Sequence, residues 1–177
     1  MDEIGAAVGL LKASVYHYFK SKEEILYKIT KPPIEVGVGV LGGIVESELT
    51  PKEKLQKAIQ YHIEQLDQLS PRFFMLSEQD LNCVSDQMRD EVALLMVRYV
   101  NLWREIITEG ISSGQFRTDL NSKLVTFAII GMCNYLFGWY KKGGTLSVAQ
   151  VTEQFISLVS RGLFVNGTPD ITRKPLS

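Results

Sequence analysis

Apolar residues recur every three or four positions along most of this chain, which is the spacing of one face of an α-helix. The longest such stripe runs over about residues 85–112. It consists of Met88, Val92, Leu95, Met96, Tyr99, Val100, Trp103 and Ile107. Almost no segment shows the alternation of apolar and polar residues that marks a half-buried strand. The spacing therefore predicts an all-α fold.

Capping residues mark where several of these helices begin. Ser21 stands three residues before Glu24, the spacing of a capping box. Thr50 precedes Pro51 and Glu53, which is the order of an N-cap, a proline at the first helical position and an acid in the first turn. We therefore predict that helices begin after Ser21 and after Thr50.

Further helices are predicted over 121–140 and 147–164, and a short one after Ser70-Pro71. At Pro32-Pro33 we expect a break or a strong kink instead. A proline inside a helix costs about 3 kcal/mol, and a glycine roughly 1 kcal/mol. Four glycines, at positions 37, 39, 42 and 43, follow the two prolines.

The composition is that of an ordinary globular protein, with 177 residues, 45% of them hydrophobic and 22% charged. The formal net charge of -1 excludes a uniformly basic nucleic-acid binder but allows a local basic face. Cys83 and Cys133 lie in apolar helical surroundings, which suits a reducing cytosol. Met1-Asp2-Glu3 is too acidic to open a signal peptide, and the apolar run 34–45 is shorter than the roughly 20 residues of a membrane span. We expect a cytoplasmic protein with no membrane segment.

Two short motifs match enzyme fingerprints without the context that their chemistry requires. Gly37-Val38-Gly39-Val40-Leu41-Gly42 fits G-x-G-x-x-G, which needs a strand before it and an acid after a second strand. Gly110-Ile111-Ser112-Ser113-Gly114 fits G-x-S-x-G, which needs a later histidine, whereas His17 and His62 both come earlier. The scattered cysteines and histidines give no metal constellation. We predict no catalytic residue, no metal and no cofactor, and keep a small nucleotide-binding enzyme as a distant alternative.

The segment from Gly9 to Leu26 has the pattern of a helix-turn-helix, in which a glycine-containing turn joins two short helices and the second enters the major groove. Val15 and Phe19 are four residues apart and would face the core of such a unit. Lys22 would lie in the first turn of the next helix, where free N–H groups favour a phosphate. Composition alone leaves a surface helix with a few aromatic residues as an equal alternative.

This segment resembles the signature of the TetR family, whose recognition helix ends in Tyr-x-x-Phe-x-x-Lys-Glu, matched here by Tyr16, Phe19, Lys22 and Glu23. The resemblance implies a ligand-responsive transcriptional repressor. Such a repressor binds a palindromic operator in double-stranded DNA as a homodimer and leaves it when a small-molecule effector binds. The residues expected to contact DNA are Lys12, Ala13, Ser14, Tyr16, His17, Tyr18 and Lys22.

The resemblance also implies a domain order: a helix-turn-helix head over 1–31, a ligand-binding and dimerisation body over 32–166, and a flexible tail over 167–177. Two departures concern the head. The family places another helix before the one that begins at Met1, and Leu11 stands where a small polar cap is usual. We expect this incomplete three-helix head to bind DNA poorly until that helix is restored. The main alternative is a dimeric ligand-binding remnant that no longer reads DNA.

Aromatic and sulfur-containing residues of the body are the candidates for an effector cavity, with ordinary core packing as the alternative for any one of them. They are Phe73, Phe74, Met96, Tyr99, Trp103, Phe127, Met132 and Tyr135. The segment 131–147 resembles family members that respond to acyl-CoA thioesters, which implies an apolar or acyl-CoA-like effector. The last two helices carry more apolar surface than one bundle needs, which predicts pairing with a second copy. The predicted interface residues are Leu124, Ala128, Leu136, Trp139, Val151, Phe155 and Leu158.

Overall fold

The computed structural model describes residues 19–68 and 84–165, and in them it contains six helices and no strand. The helices are α1 (Lys22–Glu46), α2 (Pro51–Gln68), α3 (Asp86–Ser112), α4 (Ser122–Asn134), α5 (Leu136–Trp139) and α6 (Val148–Leu163). The prediction of an all-α fold is confirmed. The short helix predicted after Ser70-Pro71 and the tail 167–177 lie outside the described residues.

The predicted helix starts are confirmed by their capping hydrogen bonds. The Ser21 hydroxyl accepts a hydrogen bond from the backbone N–H of Glu24 at 3.1 Å. The backbone N–H of Thr50 donates to the carboxylate of Glu53 at 2.8 Å, and the Thr50 hydroxyl accepts from the Glu53 N–H at 3.4 Å. A complete capping box at Ser147 opens α6. These local bonds satisfy amide groups that the first turn of a helix leaves without partners.

The predicted break at Pro32-Pro33 is wrong, because α1 continues through both prolines as one helix of 25 residues. Packing explains why it persists. Ile34, Val38 and Leu41 are buried on one face, and α1 has its most extensive helix–helix contacts with α3. Each fully buried aliphatic side chain contributes about 1.5–3 kcal/mol. This buried stripe offsets much of the free energy that the prolines and glycines withdraw from the helix.

The single helix predicted over 121–140 is also wrong, because α4 ends at Asn134 and the one-turn helix α5 follows. The N–H of Tyr135 donates to Gly131 O at 3.0 Å, and the N–H of Gly138 donates to Tyr135 O at 2.9 Å, so the chain tightens there. The interruption places Leu136 in the core with 4% exposure. A segment that is apolar around most of its circumference carries no signal of where its helix stops.

The packing of α1 on α3 sets the geometry of the body. Tyr27 contacts Glu91, and Gly37 lies against Tyr99, so positions on α1 and α3 increase together and the two helices run in the same direction. α2 packs on both α3 and α6. The centre of the core consists of almost completely buried side chains: Leu41, Leu55, Ile59, Ile63, Trp103, Ile106, Ile107 and Phe116.

The loop after α3 fastens the end of that helix to the end of α6. The N–H of Phe116 donates to Gly110 O at 2.8 Å, and the N–H of Arg117 donates to Leu163 O at 2.9 Å. The ring of Phe116 stacks on that of Phe164 with centroids 5.3 Å apart. These contacts hold α3 and α6 together at one end of the bundle.

Both enzyme-like motifs lie in helical structure. The residues 37–42 are inside α1, so the dinucleotide fingerprint has no strand-to-helix turn to occupy. The residues 110–114 form the end of α3 and the turn after it, where Gly114 adopts a φ of 71°. Over 19–68 and 84–165, no helix combines the length and apolar character needed to cross a membrane.

Candidate DNA-reading head and effector site

Lys22, the described member of the predicted DNA contacts, is the first residue of α1 and is exposed. Just before it, Phe19 is half-buried, and the Lys28 ammonium nitrogen lies 5.4 Å from the centroid of its ring. This contact ties the end of the predicted recognition segment to the second turn of α1. The remaining predicted DNA contacts lie outside the described residues: Lys12, Ala13, Ser14, Tyr16, His17 and Tyr18.

The first turn of α1 is held by a local network of charges and amides. Glu24 forms an ion pair with Lys28 at 2.8 Å, and its other carboxylate oxygen accepts from the backbone N–H of Lys20 at 2.8 Å. The hydrogen bond from Lys28, followed by that from Lys20, lowers the pKa of Glu24. Lys22 lies beside this network and is exposed at the start of the helix.

A buried polar cluster formed by Tyr61, His62, Tyr99, Trp103 and Asn134 joins three helices inside the body. His62 Nδ1 lies 2.6 Å from the hydroxyl oxygen of Tyr99, and His62 Nε2 lies 2.8 Å from Oδ1 of Asn134. Because an amide oxygen only accepts, Nε2 carries the proton and Nδ1 accepts from the Tyr99 hydroxyl. One imidazole thus connects α2 with α3 and α4.

Two further polar atoms of the buried polar cluster lack a hydrogen bond of normal geometry. The hydroxyl of Tyr61 is buried without a partner. The indole N–H of Trp103 lies near enough to the hydroxyl of Tyr99 to lower its pKa, but it too makes no regular hydrogen bond. Unpartnered buried donors are rare and costly. The buried polar cluster therefore offers hydrogen-bonding capacity that the described residues do not use.

The buried polar cluster is uncharged at neutral pH. Burial lowers the pKa of His62 to about 4, so its imidazole is neutral. Burial also raises the pKa of Tyr99 and of Tyr61 above that of a free phenol, and raises the pKa of the neighbouring Cys133 thiol to about 12. Each charged form is disfavoured because it would lose its hydration. The described side chains of this cluster present polar atoms but no net charge.

The structure separates the predicted pocket residues into two groups. Tyr99 and Trp103 belong to the buried polar cluster, and Met132 is partly buried against the core. Met96 and Phe127 line a surface groove of about 380 Å³ between α3 and α4 instead. Tyr135 is 71% exposed. Phe73 and Phe74 lie outside the described residues.

His62 and Asn134 were not among the predicted site residues. His62 lies at a helical spacing from Leu55, Ile59 and Ile63, and it is a polar residue in that buried stripe. Asn134 likewise interrupts an apolar helix. A polar residue on an otherwise apolar face needs a buried partner, and this signal pointed to both residues.

The predicted dimer residues also divide between surface and core. Leu136 and Val151 are each 4% exposed and lie in the protomer's own core, so they have little surface to offer a partner. Phe155 is half-buried against that core. The four others are exposed: Leu124, Ala128, Trp139 and Leu158.

Comparison with known families matches both ends of the chain. Residues 1–29 match the family described as "Bacterial regulatory proteins, tetR family". Residues 48–163 match the "Tetracyclin repressor-like, C-terminal domain". The fold and these matches define a helix-turn-helix transcriptional regulator with an all-helical body. The chain belongs to the TetR family.

Individual relatives agree with this assignment. The HTH-type transcriptional repressor KstR2 of Mycolicibacterium smegmatis is 27% identical over 161 residues, which cover 91% of this chain and 78% of the relative. The fatty acid metabolism regulator protein of Bacillus subtilis is 26% identical over 131 residues, or 74% of this chain and 67% of that protein. The solved structure of the ketosteroid transcriptional regulator KstR2 of Mycobacterium tuberculosis superposes with a TM-score of 0.84 at 26% identity, covering 93% of this chain and 84% of that one.

Proposed function

We propose that this protein is a ligand-responsive repressor that binds a palindromic operator as a homodimer and leaves it when an apolar or acyl-CoA-like effector binds. The observation that carries the proposal is the likeness to the repressor KstR2, which extends over nearly the whole chain in sequence and in fold. The proposal assigns the head to 1–31, the body to 32–166 and a tail to 167–177. It includes a cytoplasmic location and no catalytic step.

The chemistry of the buried polar cluster supports an effector whose inserted part is uncharged. Its described side chains are neutral, so a carboxylate or ammonium group would find no counter-charge there and would lose its hydration. Tyr99, Trp103 and Met132 are the described pocket residues that face inward, and Phe73 and Phe74 complete the proposed set. Two relatives bear the words ketosteroid and fatty acid in their names, and both molecules are largely apolar.

An anionic headgroup would remain near solvent in this arrangement. Lys141 and Lys142 are exposed just after α5 and supply positive charge there. A thioester of coenzyme A combines an apolar acyl group, which suits the neutral buried polar cluster, with a polyanionic headgroup, which the exposed Lys141 and Lys142 would attract. Acyl-CoA thioesters are therefore the effector class that we propose.

The proposed dimer interface is the exposed face of α4 and α5 together with α6. Leu124 and Ala128 are four residues apart and lie on one face of α4, and Tyr135 and Trp139, which follow the break after Asn134, are exposed as well. Leu158 of α6 is 64% exposed and adds to this apolar surface. An apolar surface of this kind is typical of a partner site, and isologous pairing is its commonest solution.

A thermal-shift panel combined with gel-shift titration tests the proposal. We expect stearoyl-CoA or isovaleryl-CoA to raise the melting temperature and to release the protein from DNA selected from the region upstream of its gene. Free coenzyme A is the control for headgroup binding, and glucose and leucine are controls for small polar effectors. A shift with glucose or leucine and none with either thioester would contradict the effector class. Failure of the dimeric protein to bind any selected DNA, once a helix added ahead of Met1 completes the head, would contradict the repressor assignment.

A further inference from the structure

Three side chains form a compact hydrogen-bonded contact between α1 and α3. Lys31 Nζ lies 2.7 Å from Oε2 of Glu91 and 2.8 Å from the hydroxyl oxygen of Tyr27. The Tyr27 hydroxyl also donates to the same oxygen of Glu91. We call Tyr27, Lys31 and Glu91 the latch. Each of its members contacts both of the others.

Neighbouring charges and amides hold the latch in its ionised form. The hydrogen bond from Lys31, then that from Tyr27, lowers the pKa of Glu91 to about 2. The hydrogen bond to Glu91 raises the pKa of Lys31 above its usual range. Gln87 donates to the second carboxylate oxygen of Glu91 at 3.3 Å, and Glu35 lies 3.6 Å from Lys31. The contact is thus a network rather than an isolated surface pair, which would contribute little.

The latch connects the two functional parts of the chain. Tyr27 lies within the residues that match the DNA-binding family, and Glu91 lies within those that match the C-terminal family. Lys31 is the last residue of the proposed head. The latch is therefore a direct polar connection between the part that would read DNA and the helix that contributes Tyr99 to the buried polar cluster.

Further along the same two helices, α1 also contacts the buried polar cluster. Ten residues after Tyr27, Gly37 of α1 lies against the ring of Tyr99, and a methyl group at position 37 would lie only 3.1 Å from Cε2 of that ring. At 1.5 Å per helical residue, the latch and this contact are about 15 Å apart along α1. A displacement of Tyr99 by an effector would press on the α1 backbone. It would shift α1 along or around α3, which is the motion that the latch opposes.

We propose that Tyr27, Lys31 and Glu91 are positioning residues that couple effector binding in the body to the orientation of the head. This inference rests on the proposed function. In this proposal the latch itself contacts neither DNA nor effector. It fixes the register of α1 on α3 at the head end, so that a change at Tyr99 alters the head and not only the middle of α1. Two sites linked in this way share one coupling free energy.

The test compares Glu91→Gln, which removes the charge at nearly constant shape, with Asp86→Asn, which removes the charge from an ion pair with Arg89 inside α3. Operator affinity is measured with and without saturating stearoyl-CoA, and the thermal shift caused by stearoyl-CoA reports binding to the body. We expect Glu91→Gln to reduce the ratio of the two operator affinities by about fivefold or more. Its thermal shift should stay that of the unchanged protein, and Asp86→Asn should behave as the unchanged protein in every assay. A ratio unchanged in Glu91→Gln would overturn the proposal.

A second measurement needs neither DNA nor effector. Hydrogen–deuterium exchange of residues 22–31 should accelerate in Glu91→Gln and in Lys31→Met, but not in Asp86→Asn. The double variant of Lys31 and Glu91 should exchange no faster than either single variant, because both remove the same contact. Unchanged exchange in both single variants would overturn the latch. If the unchanged protein ignores stearoyl-CoA while exchange responds as expected, the effector class fails and the latch stands.

Discussion

The imidazole of His62 accepts a 2.6 Å hydrogen bond from the hydroxyl of Tyr99 in the interior of the body, and it can do so only while Nδ1 carries no proton. Protonation of His62 would turn this acceptor into a donor facing another donor. Burial lowers the pKa of His62 to about 4, compared with 6.5 for an exposed histidine. The folded structure therefore requires the neutral form of His62.

This pairing predicts how stability depends on pH. The unfolded chain takes up a proton at His62 below about pH 6.5, and the folded chain does not until about pH 4. The contribution of His62 to the free energy of unfolding is therefore complete above pH 6.5 and is lost as the pH falls from 6.5 to 4. The size of this loss is roughly 3 kcal/mol. Urea denaturation at pH 7.5, 6, 5 and 4.5 measures it.

The variant His62→Gln isolates this effect from carboxylates that titrate at lower pH. Its unfolding free energy should be lower than that of the unchanged protein at pH 7.5, because the buried hydrogen bonds are altered. Between pH 6.5 and 4.5 it should decline less steeply. Parallel pH profiles for the two proteins would show that His62 does not titrate as the buried geometry requires.

A second prediction concerns two glycines in opposite surroundings. A methyl group at Gly110 would overlap the ring of Phe116, whereas one at Gly43 would meet nothing within 4 Å. We expect Gly110→Ala to lower the free energy of unfolding by about 1–3 kcal/mol through overpacking. We expect Gly43→Ala, at an exposed position of α1, to raise it by about 1 kcal/mol through helix propensity. Thermal denaturation of the two single variants gives both signs in one experiment.

A third prediction tests the proposed dimer interface. A glutamate at position 158 would place a carboxylate in the paired apolar surface, and a symmetric dimer contains that change twice. At about 2 kcal/mol per copy, the dissociation constant of Leu158→Glu should rise about a thousandfold. Val36→Glu is the matched control, because Val36 is 57% exposed but lies on α1, outside the proposed interface. Sedimentation equilibrium should find a monomer for the first variant and a dimer for the second, and the reverse result would place the interface elsewhere.

A fourth prediction concerns Lys22 at the start of α1. Each phosphate contact contributes about 0.9 to the slope of log affinity against log salt concentration. With one such contact in each of two heads, Lys22→Ala should reduce the steepness of that slope by about 2 and weaken binding to all sequences alike. Lys57→Ala removes the same charge from an exposed position of α2 and should leave the slope unchanged. Equal slopes for all three proteins would remove Lys22 from the DNA contacts.

The features that the sequence predicted well are local ones. Ser21, Thr50 and Ser147 begin their helices as predicted, because a cap needs only the three or four residues that follow it. The continuation of α1 through Pro32 and Pro33 was not predictable in this way, because it depends on burial against α3, more than 50 residues away in the chain. Tertiary packing overrode local propensity there.

The residues of the candidate effector site were predictable only in part, for the same reason. Tyr99 and Trp103 were among the predicted pocket residues, because aromatic residues on a buried face are natural candidates. Met96 and Phe127 have the same chemistry but face the surface, since a residue type does not reveal on which side of a helix a neighbour will pack. The polar residues His62 and Asn134 became recognisable as a pair only when three helices were assembled.

The composition of α1 has a consequence for how the head and the body can act on one another. Two prolines and four glycines in a helix of 25 residues amount to a propensity deficit of about 10 kcal/mol relative to alanine. Taken alone, residues 22–46 would not be helical, so the stiffness of α1 is a property of the α1–α3 pair. Any event that separates α1 from α3 therefore unfolds α1, and does not only change the angle between the two helices. Operator binding by such a protein would then depend on whether α1 is folded, and not only on how α1 is oriented.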